Sequence, residues 1–300
     1  MKNQLKKTLQ ILVFSLFATS SLLAQSSNFK KREAYQTLSQ IWELDSTNNR
    51  ETFLLSTHRP MYVLPVRFSS HRRKVPFEIP IENPTENELE LDNVETIMQF
   101  SFKTKIAKKI WGEGALWLGY TQKSYWQVYN AKFSRPFRET NYEPEIIFNY
   151  PVQFTLLGLK TKMLGFGFNH QSNGREGAEF SRSWNRFIVY AGFEDTYWNL
   201  VIRTWMGAEL DENPAIENYM GRADATFNYR IKNHLLTLHA QHSLRTGNAN
   251  RGNVELDWAF PIFGNLSGYF QFFHGYGDAM IDYNQRHTIG GLGLVFSGTL

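Results

Sequence analysis

The 300-residue chain has no cysteine, which excludes disulfides, thiolate nucleophiles and cysteine-ligated metals. Beyond its N-terminus it also lacks any run of about 18 apolar residues, the length a membrane-spanning helix needs. Mean hydropathy is negative, at -0.41. Charge of one sign is missing too: 32 basic residues face 28 acidic ones, a net charge of +4. That balance gives no argument for a nucleic-acid partner, although it suits a surface meeting anionic head groups. Two classes survive these absences, a soluble β protein and a membrane β-barrel. Barrel strands alternate apolar and polar residues, so a barrel averages out as polar.

Aromatic residues, by contrast, are abundant: 24 Phe, 14 Tyr and 8 Trp, or 15% of the chain. Membrane barrels carry such residues as girdles at both interfaces. The first residues point to export. Lys2, Lys6 and Lys7 form a basic start, residues 11–17 a short apolar core, and Ala24 a plausible cleavage point, although Leu22 is a poor fit beside it. Residues 1–24 are therefore expected to be a secretory signal, most simply in a bacterium. Residues 25–58 are expected to form a periplasmic N-terminal segment. Within it Ala34, Leu38, Ile41 and Trp42 have near-helical spacing, which predicts a short amphipathic helix.

From Arg59 to the end the period is two, which is the period of strands. Residues 61–68 make a first strand despite Pro65, which disfavours one. Residues 70–93 are polar and read as a long loop. Thr96, Met98, Phe100 and Phe102 then alternate with Ile97, Gln99, Ser101 and Lys103. Val254, Leu256, Trp258 and Phe260 do the same against Asn253, Glu255 and Asp257. About twelve such segments come near the roughly 9–11 residues of a tilted bilayer-crossing strand. The polar face gathers Arg, Asp, Glu, His and Gln, as a hydrogen-bonded lumen would. The fold class is expected to be all-β, a twelve-stranded antiparallel transmembrane β-barrel over residues 59–300. Closure removes the strand edges that lipid does not tolerate. With both termini in the periplasm, the fifth strand, about 159–172, ends near the outer surface, and loop 129–139 also lies outside.

The outer end of that fifth strand holds an unusual pair. His170 and Ser172 share a face with Leu164, Phe166 and Phe168, while Gly165, Gly167, Asn169 and Gln171 share the other. Polar residues on the apolar face of a barrel strand would look at lipid, where they are costly without a task. A serine hydroxyl becomes a nucleophile when a base takes its proton, and the imidazole then needs a third group to orient it. Asn185, on the strand expected to pair with the first, can do this. An amide there avoids the ionic desolvation a carboxylate would suffer. Taken singly, a His-x-Ser pair on a strand is usually structural; the combination on the lipid side carries the argument.

These residues also carry a resemblance. The segment Asn169-His170-Gln171-Ser172-Asn173-Gly174-Arg175, followed by Ser181-Arg182-Ser183-Trp184-Asn185-Arg186, resembles the active-site signature of the outer membrane phospholipase A family. Further matching stretches are Tyr120-Thr121-Gln122-Lys123-Ser124, Pro136-Phe137-Arg138-Glu139-Thr140-Asn141-Tyr142-Glu143-Pro144, Asn218-Tyr219-Met220-Gly221 and Gly275-Tyr276-Gly277-Asp278. The likeness runs from about residue 95 to the end. It implies a barrel in the bacterial outer membrane that hydrolyses phospholipid acyl esters with A1 and A2 activity. Ser172 would be the nucleophile, His170 the base and Asn185 the orienter. It further implies calcium as cofactor, with membrane lipid as substrate and no nucleic acid. A homodimer would be the active form, holding calcium through the Arg175 carbonyl and Ser181 of one chain and Ser134 of the partner subunit. Gln122 matches the family's polar residue at the dimer contact. Oxygen ligands suit calcium.

Some features depart from the family. The loop at residues 176–180 is one residue longer, so either Glu176 or Glu179 takes the place of the acidic residue that helps a second calcium site. The last residue, Leu300, replaces a common terminal aromatic. The other histidines (His58, His71, His234, His239, His242, His274 and His287) show no metal-ligand spacing, and Arg72, Arg73 and Lys74 read as a solvated patch. The rival expectations are a non-catalytic outer membrane pore or adhesin, and a soluble secreted esterase.

Overall fold

A computed structural model describes residues 35–45, 50–71, 91–177, 180–208, 213, 215–264 and 266–296. All belong to one compact unit, Glu33–Leu300. The expected signal, Ala34, the Arg72–Arg73–Lys74 patch, Glu179 and Leu300 lie outside the described residues.

The first element is a one-turn helix, α1 (Leu38–Ile41). Strands follow: β1 (Leu55–Thr57), β2 (Met61–Ser69), β3 (Val94–Ile110), β4 (Gly114–Trp126), β5 (Phe137–Leu156), β6 (Leu159–Ser172) and β7 (Ser183–Glu194). Then come β8 (Trp198–Ala208), the short helix α2 (Ile216–Met220), β9 (Ala223–Ile231), β10 (His234–His242), β11 (Gly252–Phe263), β12 (Leu266–Gly275) and β13 (His287–Phe296). Each strand from β2 onward pairs antiparallel with the next, and β13 returns to β2. Twelve strands thus close into a barrel, as the period-two pattern predicts, and no backbone edge is left for lipid to meet. The small β1 pairs with β3 just beyond β2, at Phe102–Thr104, so sheet pairing begins at Leu55. Pro65 is accommodated by irregular register: β2 slips against β3 between Leu64 and Arg67 and against β13 between Leu292 and Leu294. A proline, which has no N–H to donate, belongs at such a break.

One end of the barrel carries tight connections, at residues 111–113, 157–158, 195–197 and 232–233, and the other carries the long loops. Outer membrane barrels have this asymmetry, with short periplasmic turns and longer outer loops. The faces are inverted relative to a soluble protein. Phe166 and Phe187 on the outside are 51% and 56% exposed, whereas Lys103 and Arg138 on the inside are fully buried. Apolar residues face out around the wall, which is the surface a lipid solvent selects and a soluble sandwich would hide.

The interior is extensively ion-paired. Near the loop end, Arg67 binds Asp278 and Arg138 binds Glu95 at 2.9 Å and Asp282 at 3.3 Å. Asp278, Met280, Ile281 and Asp282 belong to the β12–β13 loop, which folds down into the barrel and is buried there. At the short-turn end, α1 packs inside. Thr37 and Gln40 form a capping box around it. Ser39 donates from its backbone N–H to Glu194 at 3.2 Å, Gln36 accepts from Asn199, and Leu38 occupies space that a side chain at Gly192 would fill. A cavity of about 490 Å³ remains, with Arg59, Glu143, Glu145, Arg203, Asp224 and His239 among its lining residues.

Candidate active site

The pairing of β6 with β7 brings the sequence-selected residues together. Asn169 stands opposite Arg186, His170 opposite Asn185, Gln171 opposite Trp184, and Ser172 opposite Ser183. Alternation then sends successive rows to opposite faces. Trp184, Arg186 and Asn169 are buried in the interior, while Phe166, Phe187 and Val189 are exposed on the wall. His170, Ser172 and Asn185 share the parity of the exposed set and lie, half-buried, on the outer face.

The His170 Nδ1 lies 2.8 Å from the Asn185 Oδ1. An amide oxygen only accepts, so Nδ1 carries the proton and Nε2 is left as the ring's acceptor. Ser172 is two residues along the same strand, about 7 Å from His170 between Cα atoms at strand spacing. It adjoins Tyr142 on β5 and Ser183 on β7.

The loop after Ser172 is organised by a residue that the sequence reading did not single out. Asn173 is buried and its Oδ1 accepts from the backbone N–H groups of Arg182 at 3.0 Å and Arg175 at 3.3 Å. Its Nδ2 donates to the Phe180 carbonyl at 2.8 Å, and its own N–H donates to the Arg182 carbonyl. Ser181 N–H bonds the Gly177 carbonyl at 2.8 Å, and the Arg175 guanidinium reaches the Arg138 carbonyl. Arg175 and Ser181 are thus held on one braced loop. The sequence signal was Asn173's place inside the motif, directly after Ser172.

Ser134 lies on a different loop at the same end of the barrel. It is exposed and left-handed (φ 57°), closing the 3-10 turn Ala131–Phe133 that Asn130 caps. Glu176 is exposed. Among the described residues, no group of three or more His, Asp or Glu is arranged to hold a metal.

Gln122 projects from the outer face of β4, as its phase with Leu118 predicts. Its own strand supplies it with two hydrogen-bond partners. Tyr120 donates to its Oε1 at 3.1 Å, and its Nε2 donates to Ser124 Oγ at 3.2 Å. Gln122 lies opposite Tyr142, and Tyr142 opposite Ser172.

Residues 38–296 match the phospholipase A1 family. The chain belongs to the phospholipase A1 family. An inferred phospholipase A1 of Neisseria meningitidis serogroup B is 38% identical over 276 residues, covering 88% of this chain and 71% of that protein. Among solved structures, an active-site mutant of Escherichia coli outer membrane phospholipase A, with an asparagine changed to alanine, superposes with a TM-score of 0.73. It is 29% identical and covers 86% of this chain and 97% of its own. The outer membrane phospholipase of Salmonella typhi, a dimer with bound calcium, gives a TM-score of 0.73 at 30% identity, with 86% and 97% covered. This phospholipase A1 family member is accordingly an outer membrane enzyme that hydrolyses phospholipids. The expectation of an outer membrane barrel enzyme stands; that of a soluble esterase does not.

Proposed function

We propose that this enzyme cleaves the sn-1 and sn-2 acyl esters of phospholipids in the outer leaflet with Ser172 as nucleophile, His170 as general base and Asn185 holding the imidazole. The observation that carries this reading is the 2.8 Å His170–Asn185 contact on the lipid-facing wall, with Ser172 on the same strand and face. His170 Nε2 takes the proton of the Ser172 hydroxyl as it attacks the ester carbonyl, then passes it to the departing glycerol oxygen. Water repeats the sequence on the acyl-enzyme and releases the fatty acid. The relative carrying an active-site asparagine mutation supports an asparagine in this role.

Calcium and dimerisation belong to the same reading, supported by the calcium-bound dimer of the Salmonella relative. The residues present fit calcium. The Arg175 carbonyl and Ser181 hydroxyl are neutral oxygen donors on a loop braced by Asn173. Calcium takes about six to eight oxygens, so one chain's two donors leave room for Ser134 of the partner subunit and for water. When bound, calcium supplies positive charge that stabilises the oxyanion formed at the ester carbonyl.

The test is fatty acid release from mixed micelles, with and without calcium, for the wild type and Ser172→Ala. Release is expected to vanish in the variant while the barrel stays folded, and to stop in the wild type on chelation. Full activity of Ser172→Ala would remove the nucleophile assignment, and an unchanged rate after chelation would remove the metal.

A further inference from the structure

Directly behind the proposed triad lies an interior cluster that the chemistry above does not use. On β6 and β7 the row joining His170 to Asn185 faces out, and the rows on either side of it face the lumen. Arg186 spans both inner rows. Its Nε donates to Asn169 Oδ1 at 2.9 Å, and its Nη2 donates to Gln171 Oε1 at 3.3 Å. The same Nη2 reaches Glu143 Oε1 on β5 at 2.8 Å, which also accepts from Asn169 Nδ2 at 2.8 Å. Trp184 Nε1 donates to Gln171 at 2.9 Å, and the Trp184 ring lies 4.4 Å from the Arg186 guanidinium carbon.

We infer that Arg186 is a positioning residue for the hydrolysis, fixing from inside the barrel where Asn185, and through it His170, stands on the outside. This rests on the triad reading above. Asn185 sits in the chain between Trp184 and Arg186, and both neighbours are tied to β6. Its direction is therefore set by two anchored residues whose side chains point the opposite way. The amide–imidazole contact at 2.8 Å has little slack; a misplacement of about 1 Å can lower turnover about 10²-fold. The planar guanidinium makes three such bonds at once, and a lysine ammonium on a flexible stem does not reproduce that fork. A merely stabilising Arg186 would change the folded fraction. It would not change turnover per folded molecule, and it would be indifferent to Asn185.

The experiment is a double-mutant cycle of Arg186→Lys with Asn185→Ala in the full-length enzyme. It reads kcat and KM per folded molecule on phospholipid in mixed micelles with saturating calcium. Removing the third member of a triad leaves residual turnover, so the cycle is measurable. Arg186→Lys is expected to lower kcat at least about 10-fold at unchanged KM, and by less than about 2-fold once Asn185 is alanine. An equal loss in both backgrounds, or no loss in the first, overturns the role of Arg186. Gln171→Leu, which removes the acceptor of one inner row, repeats the cycle and decides the matter where the lysine variant does not fold. Ser172→Ala assayed alongside keeps the two readings apart. Activity retained there removes the triad; activity lost there with an additive cycle removes only Arg186.

Discussion

Gln122 and Ser172 stand on one row of the barrel exterior, two strands apart, with Tyr142 between them. A second copy seated against Gln122 would therefore flank Ser172 as well, which links association to the site geometrically. The absence of cysteine makes this directly testable. A Gln122→Cys variant is expected to form a disulfide-linked dimer under mild oxidation, and more of it when calcium and a substrate analogue are present. Non-reducing electrophoresis reads the result, and a chain that stays monomeric under all conditions rejects this face as the contact.

Asn173 braces the loop that carries Arg175 and Ser181 without offering either donor itself. Losing an outer-shell support of this kind typically weakens metal affinity about 10–100-fold. Asn173→Ala should raise the calcium concentration for half-maximal activity by about that factor, with the maximal rate recovered at high calcium. Calcium titrations of fatty acid release check this, and an unchanged midpoint would contradict it.

Glu43 ties the N-terminal segment to the barrel through Lys105 on β3 at 2.7 Å, and Arg50 of the same segment holds it at 2.7 Å. Burial alone would push its carboxyl up, but the hydrogen bonds from Lys105 and Arg50 outweigh burial and hold it below its usual 4.5. A carboxyl depressed in the folded state stabilises fully above the unfolded value, and this contribution disappears as pH falls through the folded one. Glu43→Gln should therefore make residues 35–45 easier to cleave by protease at neutral pH. The difference from wild type should shrink as pH falls below the ordinary carboxyl value of 4.5. A difference that is independent of pH would show that Glu43's charge is not what fastens the segment.

The barrel was legible because alternation survives in the chain whatever the solvent outside. Thr96 to Lys103 on β3 and Asn253 to Phe260 on β11 announce strands by period alone. The outward placement of His170 was legible for the same reason, since its parity matches Phe166 and Phe168. What the sequence could not reveal are partnerships between residues far apart in it. Arg67 meets Asp278 across 211 positions, and nothing local says that the β12–β13 loop turns inward to make that bond. The helix at Leu38 was visible from its spacing, but not that it enters the barrel, where Ser39 meets Glu194, 155 residues on. Nor does the sequence show that the hydroxyls of Tyr120 and Ser124, ordinary strand residues, converge on Gln122.

The outward aspect of Ser172 also sets the dimensionality of its encounters. With the proposed chemistry on the wall, nothing need pass through the middle. A side chain on the wall meets molecules that drift sideways in the same sheet of lipid. The quantity that governs such meetings is the number of molecules per unit of membrane area. Diluting the vesicles in buffer leaves that number unchanged, whereas adding inert detergent or lipid lowers it.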